Sequence, residues 1–428
     1  MTQTVDGGIG DDLLSGDYAF ATGGITTTFN TTTNIGSITK ATNRVSYKNI
    51  ERLDITGTLY DDLIVGTNGN DTITTRDGND TVDGGKGDDV LYVSYFIGEG
   101  ITSTFDATTN IGSITVGTDG VSYKNIERLS ISGTDYDDLI VGTNGNDTIF
   151  TRDGNDTIDG GKGDDLLSVD YTSATAGIAT TFNATTNIGS ITAGTDGVSY
   201  KNIERLNISG TAYDDLIVGS NGNDTLSTGG FYGSKGNDTI DGGKGDDLLS
   251  VDYRDATKKI TSTFNATTNI GSITAGKDRV SYKNIERLNI TGTAYDDLIV
   301  GSNGNDTLSG GSGNDILTGG NGNDTFAFYD FNGGIDRLDD FNTTNELIQV
   351  SVYGFGGGLS SGSLKATQFT IGTSATTNTQ RFIYNSATGG LFFDQDGSKS
   401  GFTQVQFALV TTGLLVSENN FVVVSNLY

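Results

Sequence analysis

Residues 57–92 read GTLYDDLIV, GTNGNDTIT, TRDGNDTVD and GGKGDDVLY: four nonapeptides with aspartate always sixth and an aliphatic residue always eighth. The same arrangement recurs at 133–168, 210–250 and 292–327, and once as a lone nonapeptide at 7–15. A fixed nine-residue period marks a stacked β-coil, in which each repeat buries its apolar side only against its neighbours.

The alternation of glycine and carboxylate points to chemistry. Glycine accepts backbone angles that a Cβ forbids, so G-G-x-G-x turns tightly and aims carbonyl oxygens inward. The aspartate adds a carboxylate oxygen. Calcium takes six to eight hard oxygens at about 2.3–2.6 Å, and carbonyls with carboxylates supply them. The remaining x-U-x is a strand of about three residues whose U side chain enters a thin apolar core. Two nonapeptides make one coil, so each stacks on the next but one. This pairs Asp62 with Asp80, Asp71 with Asp89, Asp138 with Asp156 and Asp147 with Asp165. It also pairs Asp224 with Asp247, Asp297 with Asp315 and Asp306 with Asp324. A five-residue interruption near 228–232 leaves the pairing of Asp215 with Asp238 open, and Asp12 belongs to the lone nonapeptide.

Coils stack about 4.8 Å apart. Two carboxylates at that distance repel by roughly 1 kcal/mol in water and several times that when partly buried. Without metal the aspartate ladders oppose folding. A site with a dissociation constant of about 0.1 mM gains roughly 1.4 kcal/mol at about 1 mM calcium, and almost nothing at submicromolar calcium. The expectation is a chain loose inside the cell and folded outside it.

Composition agrees. The 428 residues hold 54 acidic and 25 basic side chains, a net charge of −29, and 64 glycines. That acidity argues against nucleic acid and anionic membrane surfaces as partners, since both reward basic patches. Solvated acidic chains do not place aspartate every ninth residue. Zero cysteines exclude disulfides and thiolate metal sites. No stretch is apolar enough to span a membrane. The N-terminus has neither basic nor apolar signal-peptide regions, so a conventional leader is not expected.

A longer period overlies the short one. SYKNIERL occurs four times, with its Asn at Asn49, Asn125, Asn202 and Asn284, spaced by 76, 77 and 82 residues. Between blocks, segments such as 93–132 carry ITSTFDATTNIGSITV, two strands about an Ala-Thr-Thr-Asn turn. NIERLSI then alternates Ile126, Leu129 and Ile131 with polar residues and leads into the next block. The Glu-Arg pairs, such as Glu127/Arg128, point to opposite faces of a strand and so cannot act together on one substrate atom. The threonine rows at 26–28 and 31–33 suit a strand surface or a ligand-facing ladder.

From residue 325 the composition shifts. Twelve of the twenty phenylalanines lie there, and the aspartate ladder ends. The expectation is an array over 1–324 and a C-terminal β domain over 325–428, with strands near 380–384, 391–393, 404–409 and 421–424. Asp394-Gln395-Asp396-Gly397 resembles the start of an EF-hand loop, but the twelfth position is Val405 where a glutamate is required, so a hairpin turn is expected.

The nonapeptides resemble those of the RTX (repeats-in-toxin) family, and with the linking segments they cover most of residues 6–327. The whole module resembles those of multi-repeat RTX proteins common in cyanobacteria. The tail, with IDRLDDFN, GFGGGL and RFIYNSATGGLFFDQDG, is similar to the domain that follows such arrays. The resemblance implies an all-β chain: a right-handed parallel β-roll or β-helix with strand inserts, then a small β domain. It implies calcium, several ions, held by the sixth-position aspartates and by glycine-position carbonyls. Those glycines are Gly84, Gly85 and Gly87; Gly160, Gly161 and Gly163; Gly242, Gly243 and Gly245; Gly310, Gly311 and Gly313; and Gly319, Gly320 and Gly322. It also implies export by a type I secretion machinery through an uncleaved C-terminal signal. Two departures bear on the sites. Tyr60, Tyr136, Tyr213 and Tyr295 stand in the fourth place of each first nonapeptide, which suggests that these cap the roll. The third nonapeptides of the first two blocks begin Thr-Arg-Asp rather than Gly-Gly.

Zero histidines remove H-E-x-x-H metalloprotease sites and Ser-His-Asp triads. The expected function is a non-enzymatic, extracellular or cell-surface calcium-binding protein, stiffened after export, with a structural role in a surface layer or matrix. It self-associates or meets cell-surface polysaccharide. The alternatives are an adhesin or a glycan- or ice-binding module using the Thr-rich strands, and a fragment of a larger RTX toxin or enzyme.

Overall fold

The computed structural model describes residues 2–95, 98–229 and 236–425. These residues are almost wholly β-strand and turn, with one α-helix among them, the four-residue Val352–Phe355. The chain forms two compact units: Met1–Tyr171 with Ala179–Ile208, and Thr172–Ile178 with Ser209–Tyr428.

In the first unit the nonapeptides wind into coils, and successive coils pair in parallel at a register of eighteen residues. Asp54 faces Thr72, and Thr72 faces Val90 on one wall. Leu63 faces Thr81 on the other. The strands are short because only the central residue of each triplet turns inward. Ile64 and Ile73 are fully buried while Leu63 before Ile64 is exposed. One inward aliphatic chain per nine residues is a thin core for so much ordered glycine.

Each inserted segment is an antiparallel meander. Thr102–Asp106 pairs with Ile111–Val116, which pairs with Asp119–Lys124. The last strand then joins the coil wall in parallel, Tyr123 opposite Val82. Asn125 follows with φ 52°, as do Asn49 and Asn202 at the same corner. Asparagine reaches the left-handed region at less strain than other side chains. Its amide donates to the coil before it, Asn125 Nδ2 to Asp83 Oδ1 at 2.7 Å. The chain thereby crosses to the opposite wall as Arg128–Ser132, so Ile126 fills the corner rather than a strand.

The second unit repeats this plan and carries it into the phenylalanine-rich tail. Thr307–Ser309, Thr325–Asp330, Leu347–Ser351 and Phe421–Val424 pair successively in parallel. On the facing wall Ile316–Thr318 pairs with Asp336–Leu338, and that with Val405–Leu409. Residue 324 therefore lies within one compact unit, and the phenylalanines thicken its core: Phe355 meets Phe393 edge-on at 5.0 Å and Phe407 at 5.5 Å. Strands at Phe382–Asn385, Gly390–Phe393, Val405–Leu409 and Phe421–Val424 fall where the sequence places them. The Asp394 carboxylate accepts the amides of Asp396 and Gly397, closing a turn within the Gly390–Phe393 to Val405–Leu409 hairpin.

Candidate metal centre

Each sixth-position aspartate lies at the edge of a coil with its side chain turned back toward the preceding coil. In the third and fourth nonapeptides of each block, its Oδ1 accepts the amide of the aspartate stacked there. The distances are 2.9 Å from Asp62 to Asp80 and 2.7 Å from Asp71 to Asp89. They are 3.0 Å from Asp138 to Asp156 and 2.8 Å from Asp147 to Asp165. The second unit gives 2.8 Å for Asp224 and Asp247, 2.8 Å for Asp297 and Asp315, and 2.9 Å for Asp306 and Asp324. Asp215 and Asp238, left open by the sequence, are joined in the same way at 3.0 Å. Residues 230–235, which hold most of the interruption between them, lie outside the described residues. The flanking residues keep the coil pairing, Leu216 opposite Thr239 and Thr225 opposite Leu248.

All sixteen aspartates of the four blocks are buried, but their second oxygens fall into two groups. In the first two nonapeptides of every block, Oδ2 accepts the amide of the residue four places earlier, always Thr or Ser. Thr58 donates to Asp62 at 2.6 Å, Thr134 to Asp138 at 2.8 Å, Thr211 to Asp215 at 2.8 Å and Thr293 to Asp297 at 2.6 Å. Thr67, Thr143, Ser220 and Ser302 serve Asp71, Asp147, Asp224 and Asp306 likewise. The same hydroxyls lie within hydrogen-bond distance of Oδ1, 2.8 Å for Thr67 and 2.7 Å for Ser302. By contrast, Oδ2 of Asp12, Asp80, Asp89, Asp156, Asp165, Asp247, Asp315 and Asp324 is buried with no partner.

Backbone geometry separates the two groups. The bare loops have a fourth-position glycine in the left-handed region, φ 136° at Gly87, Gly163 and Gly245, 129° at Gly313 and 127° at Gly322. Their second glycines, Gly85, Gly161, Gly243, Gly311 and Gly320, lie between 88° and 101°. The Thr-Arg-Asp loops keep only the fourth, Gly78 at 106° and Gly154 at 111°. The first glycines do not separate the groups, since a Cβ would crowd Oδ2 in both: on Gly66 it would fall 2.3 Å from Asp71 Oδ2. On Gly84, Gly160 and Gly242 it would fall 2.7, 2.7 and 2.6 Å from Oδ2 of the same loop. On Gly310 and Gly319 it would fall 2.1 and 2.3 Å from that oxygen.

Burial, reinforced by the stacked neighbour's charge, pushes Asp80, Asp89 and Asp165 up to about 8, and Asp156 and Asp247 up to about 7. Burial acts on Asp71 and Asp147 as well, where amide and hydroxyl partners hold the rise to about 6, but the two groups overlap: Asp306 is pushed up to about 7 and Asp324 to about 6. A buried carboxylate with one bare oxygen calls for a cation or a proton. Among the described residues no three acidic side chains gather into a cage. The remaining oxygens for a metal would come from the loop carbonyls. Hard oxygens of this kind suit calcium.

The sequence missed one set of residues. Glu51 Oε2 accepts the amide of Asp12, and Glu127, Glu204 and Glu286 accept those of Asp89, Asp165 and Asp247. Their other oxygen takes an asparagine amide from the meander, Asn110 Nδ2 to Glu127 Oε1 at 3.0 Å. These glutamates extend the ladder across the insert, and their fourfold recurrence was the available signal. The neighbouring arginines bind the exposed fifth-position aspartates, Arg128 to Asp88 at 2.8 Å. The expectation that the tyrosine-bearing nonapeptides cap the roll is corrected. Thr26, Thr102 and Thr261 of the meanders pair in parallel with Leu63, Leu139 and Leu298. The carboxylates of Asp62, Asp138, Asp215 and Asp297 accept amides from Ile25, Ile101, Ile178 and Ile260. The meander's first strand supplies the donor row that this edge requires, so the ladder runs on.

Stacked glycine-turned coils with bare, buried carboxylate oxygens define a calcium-binding β-roll of nonapeptides. The sequence profile of the RTX calcium-binding nonapeptide repeat matches residues 56–91, 132–167, 207–231, 231–252 and 291–326. The chain thus carries RTX calcium-binding nonapeptide repeats. Among solved structures, the extracellular lipase LipA from Serratia marcescens is similar at 19% identity over 69% of this chain and 40% of that one, with a TM-score of 0.17. The chain thus spans less than half the length of that lipase. No curated protein sequence matches it significantly.

Proposed function

We propose that this calcium-binding repeat protein is exported by a type I machinery, folds on calcium outside the cell, and serves a non-enzymatic structural role at the cell surface, in a surface layer or matrix. The observation that carries this is the set of buried aspartate oxygens without a protein donor. Each makes the folded state unfavourable until a cation arrives, so folding follows external calcium. Bound calcium would be held by these aspartates with carbonyls of their glycine loops, and it would supply neutralising charge at the coil edge. The protein's own part is to turn the loops, bury the oxygens and exclude water. No helix among the described residues is long and apolar enough to cross a membrane.

Far-ultraviolet circular dichroism tests this. Chelator should leave little strand signal, and millimolar calcium should restore it cooperatively. A chain fully folded in chelator and indifferent to calcium would sink the proposal. Non-enzymatic function is tested by assaying the calcium-loaded chain for hydrolase and lyase activity.

A ligand-binding role is favoured by one feature. In the first unit an open groove of about 680 Å³ is lined by Leu139, Phe182, Ile188 and Tyr200, with Ile188 half exposed. The threonine rows speak less for it. Thr27 is fully buried, and the exposed Thr104 and Thr181 hydroxyls pair with Ser113 and Ser190. Glycan-array and ice-affinity binding at saturating calcium would separate the two roles.

A further inference from the structure

We propose that Thr or Ser at the second place of a nonapeptide replaces the metal, so that calcium is taken only by loops lacking it. This rests on the calcium reading and assigns it loop by loop.

The correspondence among the described loops is complete. Thr58, Thr67, Thr134, Thr143, Thr211, Ser220, Thr293 and Ser302 hold the second place in the eight loops whose aspartate is closed. Gly8, Arg76, Gly85, Arg152, Gly161, Gly243, Gly311 and Gly320 hold it in the eight whose Oδ2 is bare. The loop of Asp238 has Ser234 in its second place, outside the described residues, so the rule assigns no ion to it.

The cause is local. In the closed loops neither the second nor the fourth residue enters the left-handed region. The backbone then directs the second amide onto the aspartate, and a hydroxyl stands beside the other oxygen. Both carboxylate oxygens already accept protein donors, which compete with a cation for them. In the bare loops the fourth glycine is left-handed and no second-place hydroxyl is present, so Oδ2 keeps a free lone pair in a site closed to water. Asp89 and Asp165 are fully buried in that state. The first, second and fourth blocks therefore each open with a coil that closes its carboxylates by its own hydrogen bonds and continue with a coil that needs calcium.

Native mass spectrometry of the full chain in millimolar calcium counts bound ions as integers. Asp89→Asn should remove one ion, whereas Asp71→Asn should remove none despite its buried hydrogen bonds. Thr67→Gly should add an ion at Asp71, and Thr67→Ser should leave the count unchanged, since Ser220 and Ser302 already act this way. Loss of an ion in Asp71→Asn, or no gain in Thr67→Gly, overturns the proposal. Should Asp71→Asn not fold, the Thr67 pair decides alone. A wild-type count near sixteen overturns it while sparing the calcium reading; a wild-type count of zero overturns both.

Discussion

The main-chain amide of Asp71 donates to Oδ1 of Asp89 across 2.7 Å, while the other oxygen of Asp89 meets no protein donor. Asp71 in turn accepts the amide of Leu53 at 2.6 Å, and Asp89 gives its own amide to Glu127 at 3.0 Å. Carboxylates thus take the place of backbone carbonyls at the coil edge. Each coil is tied to the next by a charged acceptor, which makes a stronger bond than a neutral one but demands a counter-charge.

Glu127 should matter far more than its neighbour Arg128. Glu127→Ala orphans the Asp89 amide and the Asn110 side chain, an expected loss of about 1–3 kcal/mol. Arg128→Ala removes an exposed ion pair with Asp88 and should cost less than about 1 kcal/mol. Urea denaturation of both variants in calcium measures the contrast; equal losses would contradict it.

Acid should partly replace calcium. The folded-state values of Asp80, Asp89 and Asp165, about 8, stand above the ordinary 3.8. The folded chain then binds more protons than the unfolded one between those limits. Stability in chelator is present in full below about pH 4 and is lost as pH rises through about 8. Lowering the pH from 8 to 5 in chelator should restore part of the far-ultraviolet strand signal, and saturating calcium should remove or invert that trend. A chelated chain that weakens on the same acidification would refute the prediction.

Gly87 has φ 136°, and a Cβ there would lie 2.4 Å from the carbonyl oxygen of Gly69. Gly87→Ala should cost about 2–4 kcal/mol, from strain and from displacing the coil beneath. Gly23 has open space around it and no left-handed φ. Gly23→Ala should be neutral or stabilising by about 0.5 kcal/mol. Thermal unfolding in calcium compares them.

Tyr123 stacks on Phe105 at 6.3 Å, with its buried hydroxyl unpartnered against Gly112. Tyr123→Phe removes that hydroxyl and should be neutral or stabilising by up to about 1 kcal/mol. Gly112→Ala would place a Cβ 2.2 Å from the ring and should destabilise the meander. Near-ultraviolet circular dichroism of the two variants reports the stack.

Much of this was legible in the chain itself. The nine-residue period required stacked coils, and the eighteen-residue pairing of Asp62 with Asp80 follows from two strands per coil. Glycine and aspartate at fixed places required oxygen-rich turns, and calcium follows from hard-ion chemistry. These are local matters: backbone permission at Gly87 and side-chain chemistry at Asp89 do not depend on distant residues. Three things had to wait for the tertiary structure. The third strand of each meander, Asp119–Lys124, is set by its pairing with Asn79–Asp83 on the coil wall. Glu127 joins the ladder only because the chain crosses over at Asn125 and returns above Asp89. The difference between Asp71 and Asp89 is not visible in the aspartates at all. It depends on where an amide points, and that follows from folded backbone angles at the second and fourth places of the loop rather than from the identity of the sixth.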